Sequence, residues 1–259
     1  MLDRLYDLSD FWVFLIFAGC AVGGFGLAPL VGNRLGWTAP DKDRAEFAIR
    51  ALTTIASFTA VLLSFSLVQV NGNLRQAGAL VDREASQVDL LDRQLQRYGG
   101  PQAGALRLEL RAYVGSIVED EWPAFRNGRE SAKTTQLSRA FIRGVLALDP
   151  APGRQTATDD ALQKTLDGVI DLRAQRLTAA ELKLPSMFWY LILTLVLMMV
   201  GLSTMIEPSA IHAISIASTG VAIALLAALV FTIDTPFMGE NSVAPSPFAK
   251  TLAGMAARD

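Results

Sequence analysis

The sequence predicts an all-α membrane protein with four transmembrane helices and a helical cytoplasmic block inserted between the second and the third. Two observations support this fold class. Hydrophobic residues make up 51% of the 259 residues, and the mean hydropathy of +0.34 is high for a soluble chain of this length. The charged residues, 19% of the chain, lie almost entirely between four apolar runs. This segregation is typical of a membrane protein with a sizeable soluble part.

Each apolar run is long enough to cross a bilayer, because about 20 helical residues cover the roughly 30 Å of hydrocarbon. The runs lie at about residues 11–31, 48–70, 186–206 and 211–233. They form a first transmembrane pair within residues 1–70 and a second pair within 185–233. Residues 71–184 are then the soluble helical domain, and 234–259 a C-terminal tail. Small residues that allow a close helix neighbour in lipid occur in the first run, at Gly19, Gly23, Gly24 and Gly26.

The second apolar run continues into a charged segment, residues 71–98, without an intervening proline. Apolar residues recur in this segment at the spacing of one helix face: Val81, Val88, Leu91, Leu95 and Tyr98. The pattern therefore predicts one long helix that leaves the membrane and continues into water. Asn71-Gly72 is expected to be a weak joint in it.

Further helices are predicted in the soluble block, because no alternating strand pattern occurs there. They lie at about residues 102–122, 134–148 and 158–184. Pro123 is expected to end the first of them, since proline removes a backbone donor. Residues 149–153 are predicted to form a loop, and residues 207–210 a tight turn between the third and fourth spans.

Composition and motifs exclude several functional classes. A net charge of −2 argues against nucleic acid as a partner, because a nucleic-acid-binding domain is usually strongly basic. The chain has one cysteine and one histidine. This argues against an intramolecular disulfide framework and against a zinc site within one chain. The sequence has no Gly-rich phosphate loop, His-Glu-x-x-His pattern or nucleophile elbow. We therefore expect no enzyme, no cofactor and no metal site.

The second span has two adjoining faces of different chemistry. Small or hydroxylated residues recur at helical spacing at Thr53, Ser57, Ala60 and Ser64. Bulky apolar residues lie beside them at Phe58, Leu62 and Phe65. Small polar residues in a span either bond to neighbouring helices or face water, and rings of bulky apolar residues gate pores by dewetting. Four spans are too few to enclose a pore, so a pore requires a ring of copies; plain helix packing is the alternative.

Four charged residues are candidates for function. Two of them, Glu84 and Glu121, fall on apolar helix stripes where leucine is expected. Trp122 directly follows Glu121 and is a candidate with it. The two acids either pair with an arginine such as Arg83, Arg107 or Arg111 to fix helix register, or line a water-filled vestibule or bind a cation. Arg50, near the entrance of the second span, is either an interfacial anchor or a pore-mouth charge. Asp234, after the fourth span, either caps a turn or takes part in ligation or gating.

The layout and three motifs resemble a family of bacterial membrane proteins described as bestrophin-like. The motifs are Asp82-Arg-Glu-Ala85, Glu121-Trp-Pro123 and Asp234-Thr-Pro-Phe-Met-Gly239, the last of which contains Pro236, Phe237 and Gly239. The resemblance covers nearly the whole chain and implies a multi-pass protein of the bacterial inner membrane. The distribution of Lys and Arg favours a cytoplasmic location for both termini and the soluble block.

Bestrophins are pentameric anion channels whose second helix lines the pore and carries an apolar neck. The resemblance implies a homo-oligomer, with a pentamer favoured, that conducts small inorganic anions such as chloride passively and contacts membrane lipid. It makes Phe58, Leu62 and Phe65 candidate neck residues. Bestrophins also clasp calcium with an acidic run after a Pro-Phe-Gly sequence, but here Asn241-Ser-Val follows Glu240, so calcium gating is not expected. The alternative is a non-conducting scaffold or sensor whose cytoplasmic helices dock a partner.

Overall fold

The computed structural model describes residues 9–37, 42–148, 154–206 and 209–258. Regular structure in these residues is entirely helical, which confirms the all-α prediction for them. In chain order the helices are α1 (Asp10–Arg34), α2 (Lys42–Tyr98), α3 (Gly100–Ser116), α4 (Trp122–Arg126), α5 (Ala132–Leu146), α6 (Arg154–Ala180), α7 (Ser186–Ser203), α8 (Ala210–Ile233) and α9 (Ser246–Ala256). The predicted loop at 149–153, and residues 207 and 208 of the predicted turn, lie outside the described residues.

Four of the described helices, α1, α2, α7 and α8, are long and apolar enough to cross a membrane. The longest is α2, with 57 residues, and it runs without interruption through Asn71-Gly72. The prediction of one long helix is therefore confirmed, and the expected weak joint is not a break. A helix of this length spans about 85 Å at 1.5 Å per residue, well beyond the roughly 30 Å of a hydrocarbon core.

The chain forms two compact units, and α2 contributes residues to both. The first unit comprises Met1–Gly72 and Lys183–Thr235, and the second comprises Asn73–Leu182 and Pro236–Asp259. In the first unit α1 packs against α8 and α7. Its core includes Phe25, Leu63 and Met199, each at most 2% exposed.

Helix contacts in the first unit are closest at two glycines outside the predicted set. A Cβ atom on Gly32 would lie 2.0 Å from the carbonyl oxygen of Thr204, and one on Gly220 would lie 2.3 Å from the ring of Phe25. By contrast, Gly19, Gly23 and Gly26 face open space, and a Cβ on Gly24 would meet only Val200 at 3.9 Å. The glycine-rich segment of α1 is therefore not where helices of this chain approach most closely.

Replacing Gly32 with Ala is expected to destabilise the first unit by at least about 1–3 kcal/mol, the usual cost of overpacking. The new methyl group would meet a backbone carbonyl, so the end of α7 has to move. The measurement is the apparent Tm of the full chain in detergent. Gly26→Ala is the matched control, since its methyl group enters open space and alanine is the better helix former. Equal Tm values for the two variants would contradict the prediction.

The second unit is built on the predicted apolar stripe of α2. Val81, Val88, Leu91 and Leu95 are all fully buried there, and they pack with residues of α3, α5, α6 and α9 in one core. The predicted C-terminal tail, residues 234–259, contains α9, whose Phe248 and Met255 belong to this core. That helix was not predicted.

Pro123 does not end the helical segment in which it lies, which corrects the prediction. After α3 the backbone forms a π-helical turn, Ile117–Glu121, and helical structure continues as α4 to Arg126. The N–H group of Trp122 donates to the carbonyl of Ile117, five residues back. Pro123 stands in the first turn of α4, where a missing N–H donor is tolerated. The wider turn thus carries the chain past the proline and places Glu121 at its end.

Candidate functional site

The predicted pore residues of α2 lie along one side of the helix in the first unit. Phe58 and Phe65 are 67% and 70% exposed, whereas Leu63 on the opposite side is 1% exposed. The remaining predicted residues on the open side are Arg50, Thr53, Ser57 and Ser64, all exposed, and Leu62, which is half-buried. No other part of the described chain covers Phe58 or Phe65. The side is therefore available to lipid, to a second copy of the chain, or to water.

The hydroxyl groups on this side are all hydrogen-bonded to their own helix. Thr53 donates to the carbonyl of Ile49 at 2.8 Å, Ser57 to that of Thr53 at 3.0 Å, and Ser64 to that of Ala60 at 2.8 Å. A carbonyl oxygen only accepts, so each hydroxyl must supply the proton. The hydroxyl oxygens on this side therefore offer only their lone pairs, as acceptors, to any other partner.

Arg50 forms an exposed ion pair with Glu46, one turn earlier on α2. Arg50 Nη2 lies 2.6 Å from Glu46 Oε1, and the two side chains are 77% and 62% exposed. An ion pair this exposed contributes little to stability. Glu46 does neutralise the charge of Arg50, the residue predicted to be a pore-mouth charge or an interfacial anchor.

Glu84 and Glu121 meet at a buried cluster in the second unit, together with two arginines of α6. Arg176 Nε lies 2.5 Å from Glu84 Oε2, and its Nη2 lies 2.8 Å from Glu121 Oε2. Arg173 Nη2 lies 2.7 Å from Glu121 Oε1. The three other side chains are fully buried and Arg173 is 8% exposed. Two acids and two bases give the cluster no net charge, as burial requires.

A tyrosine and a group of aromatic rings complete the cluster. The hydroxyl of Tyr113 donates to Glu84 at 3.4 Å and accepts from Arg173 at 3.3 Å. Burial raises the pKa of that hydroxyl, so it stays neutral. The guanidinium of Arg176 also lies over the rings of Trp122, Phe125 and Phe248, 5.4 to 5.6 Å from their centroids. These distances are those of cation–π contacts.

Both acids are therefore in buried ion pairs, the first of the two interpretations above, but their arginine partners were predicted wrongly. Arg107 pairs with Asp92 at 2.9 Å, Arg111 donates to the carbonyl of Met255 at 2.7 Å, and Arg83 is exposed. The real partners lie 52 to 92 positions away in the sequence. A gating role for either acid stays a prediction.

A sequence signal for Arg173 and Arg176 was present. The apolar stripe of α6 passes through Leu166 and Val169, and the two arginines follow these residues at seven positions each. They therefore continue the buried stripe as two bases, just as Glu84 and Glu121 interrupt other stripes as acids. If the two arginines on the apolar stripe of α6 had been paired with the two acids on other apolar stripes, the sequence would have predicted the cluster.

The last motif of the chain is divided between the two units. In the first unit, the carboxylate of Asp234 accepts the backbone N–H of Leu184 at 2.6 Å. In the second, Phe237 is buried against Trp122 with ring centroids 5.6 Å apart, and the carbonyl of Pro236 accepts from the N–H of Val243. Gly239 has a φ of +82°, a left-handed conformation that favours glycine. Asp234 thus holds the segment before α7, while Phe237 anchors the start of the tail.

A metal site is not evident in the part of the chain that the structure describes. Those residues contain no group of three or more His, Cys, Asp or Glu side chains placed to hold a metal ion. The acids of the buried cluster are bonded to arginines rather than facing each other across an open site. Their chemistry is that of a structural salt-bridge network.

The fold and these features define a helical membrane protein whose second unit contains a buried salt-bridge network. The Bestrophin-like domain model matches residues 12–248 of the chain. The chain belongs to the bestrophin-like family.

Solved structures show the same fold at low sequence identity. A bacterial bestrophin homolog from Klebsiella pneumoniae, crystallised with a single substitution, superposes with a TM-score of 0.69 at 13% identity, covering 94% of this chain and 98% of that one. The crystal structure of a membrane protein with one substitution superposes with a TM-score of 0.67 at 11% identity. The match covers 96% of this chain and 97% of that one. A second crystal structure of a membrane protein with one substitution superposes with a TM-score of 0.62 at 14% identity, covering 92% of this chain and 98% of that one. No curated protein matches the sequence significantly.

Proposed function

We propose that this chain is the subunit of an oligomeric membrane channel that conducts anions passively along an axis lined by α2. The observation that carries the proposal is the open side of α2, where a strip of exposed hydroxyls lies beside the exposed rings of Phe58 and Phe65. Membership of the bestrophin-like family supports a membrane channel at the level of the family.

A ring of copies would give this side of α2 a role. The described residues of one chain contain four helices able to span a membrane, too few to enclose a pore. Rotational symmetry would bring the same side of α2 in each copy to a shared axis. Phe58, Leu62 and Phe65 would then form the apolar neck, and Thr53, Ser57 and Ser64 the wetted parts. We propose a pentamer in the bacterial inner membrane, with the second unit and both termini in the cytoplasm.

One observation favours cations as the conducted ions instead. The hydroxyl protons of Thr53, Ser57 and Ser64 are used within α2, so these residues present oxygen lone pairs, which suit a cation better than an anion. Arg50 adds little positive charge because Glu46 neutralises it. Cation conduction by the same ring is therefore the second candidate function.

Purified protein in liposomes is expected to carry ion flux with a reversal potential that follows a chloride gradient. Replacing Phe58 and Leu62 together with Asp is expected to abolish that dependence, because rings of carboxylates repel anions. Phe11→Asp is the control: Phe11 is 68% exposed but lies in the first turn of α1, near a helix end where a carboxylate can reach water. It should leave the potential unchanged.

Two other results would reject anion conduction. A reversal potential that follows the cation gradient would select the second candidate. Flux no greater than that of empty liposomes, from protein shown to form an intact ring, would instead support the non-conducting scaffold or sensor.

A further inference from the structure

A groove of about 580 Å³ opens along α5 on the surface of the second unit. Its lining residues are Glu130, Ala132, Thr135, Gln136, Arg139 and Arg143. All of them come from α5 or from the residues just before it. Neither the channel proposal nor the family motifs involve this groove.

Two arginines dominate its charge. Arg139 and Arg143 are exposed and one helical turn apart, and neither makes an ion pair with another described residue. Like charges at this spacing disfavour a helix, so the pair is unfavourable until an anion lies between them. Among the described lining residues Glu130 is the one carboxylate, so these residues together carry a net positive charge.

Thr135 supplies a hydrogen-bond donor at the inner side of the groove. Its Oγ1 accepts from Arg173 Nη2 at 3.3 Å, so its hydroxyl proton remains available for an acceptor in the groove. The groove also begins at the N-terminus of α5, where Ser131 caps the N–H of Thr134. The unpaired N–H groups of a first helical turn favour negative charge nearby.

We propose that this groove binds an anion of the phosphate class, either inorganic phosphate or the phosphate of a lipid headgroup with a net negative charge. Two guanidinium groups match the oxygens of a tetrahedral phosphate, and the Thr135 hydroxyl and the Gln136 amide provide neutral donors.

The bound anion is connected to the buried cluster through one residue. Thr135 contacts Arg173, and Arg173 pairs with Glu121, which also pairs with Arg176 and through it with Glu84 on α2. Occupancy of the groove therefore stabilises the network that holds α2 and α6 together. This proposal does not depend on whether the protein conducts ions.

The test is the apparent Tm of the full chain in nanodiscs, which rises when an anion binds the folded state. In phosphatidylcholine nanodiscs, inorganic phosphate is expected to raise the Tm above that in chloride at equal ionic strength. If the headgroup is the natural source, nanodiscs that contain phosphatidylglycerol show the higher Tm, and added phosphate has no further effect. Either result supports the site.

The double variant Arg139→Gln, Arg143→Gln should weaken binding at least about tenfold, because charge-assisted bonds are the strongest in the site. In phosphatidylcholine nanodiscs without phosphate, its Tm should be no lower than that of the unaltered chain, since both side chains are exposed and their removal relieves the repulsion between two like charges. Thr135→Val should weaken binding a few-fold by removing the hydroxyl. Arg97→Gln, at an exposed arginine in the last turn of α2, is the control and should bind normally. A Tm that neither phosphate nor phosphatidylglycerol raises, or a rise that persists in the double variant, overturns the proposal.

Discussion

Replacing Arg176 with Met is expected to lower the free energy of unfolding by about 3–5 kcal/mol, the usual cost of removing one partner from a buried ion pair. Arg176 is fully buried and contacts both Glu84 and Glu121. Without it Glu84 keeps only the long hydrogen bond from Tyr113 at 3.4 Å, and Glu121 keeps Arg173. The cluster would then hold one uncompensated negative charge, which is the physical reason for the large loss.

The measurement is the apparent Tm of the full chain in detergent, together with the fraction of protein that remains monodisperse. Arg97→Met is the control, since Arg97 is exposed and the substitution is the same. Adding Glu84→Gln to Arg176→Met should recover part of the loss, because it removes the uncompensated charge. A Tm for Arg176→Met within the range of the control would show that the cluster contributes little.

Replacing Phe248 with Ala is expected to destabilise the second unit by about 3–5 kcal/mol, the range for a buried Phe→Ala substitution. Phe248 is fully buried. Its ring lies 5.8 Å from that of Trp122, and the guanidinium of Arg176 lies 5.4 Å from its centroid. The variant would leave a cavity beside a buried charge, so lost packing and a lost cation–π contact act together.

The effect should be greatest at α9. That helix is also held by Arg258, which pairs with Asp89 at 2.6 Å and Asp92 at 3.0 Å, but these bonds are partly exposed and so contribute less. We expect faster amide hydrogen exchange across residues 246–256 as well as a lower Tm. Lys250→Ala changes an exposed residue of the same helix and should alter neither. Unchanged exchange in Phe248→Ala would mean that other contacts hold α9.

Hydrophobic patterning alone was sufficient for the four apolar helices, for most helices of the second unit, and for locating acidic residues on apolar helix faces. The continuity of α2 followed from an apolar run joined to the stripe of Val81 and Val88, which depends only on local periodicity. The same patterning placed Glu84 and Glu121 on apolar stripes, and burial beside an arginine was one of the two interpretations it allowed; both acids are fully buried. Periodicity reports which face of a helix is buried without reporting what covers it.

Only the tertiary structure decided which residues meet. The pairing of Glu84 with Arg176 joins positions 92 apart, and it depends on how α2 and α6 pack. The close approach at Gly32 likewise depends on where α7 ends, not on the glycine-rich segment of α1. The passage of the chain beyond Pro123 required a π-helical turn, and α9 is held by Phe248 among rings supplied by distant residues. Composition and period determined the class of this protein and its buried faces, whereas contacts distant in sequence carry no local signal and arise only when the helices pack.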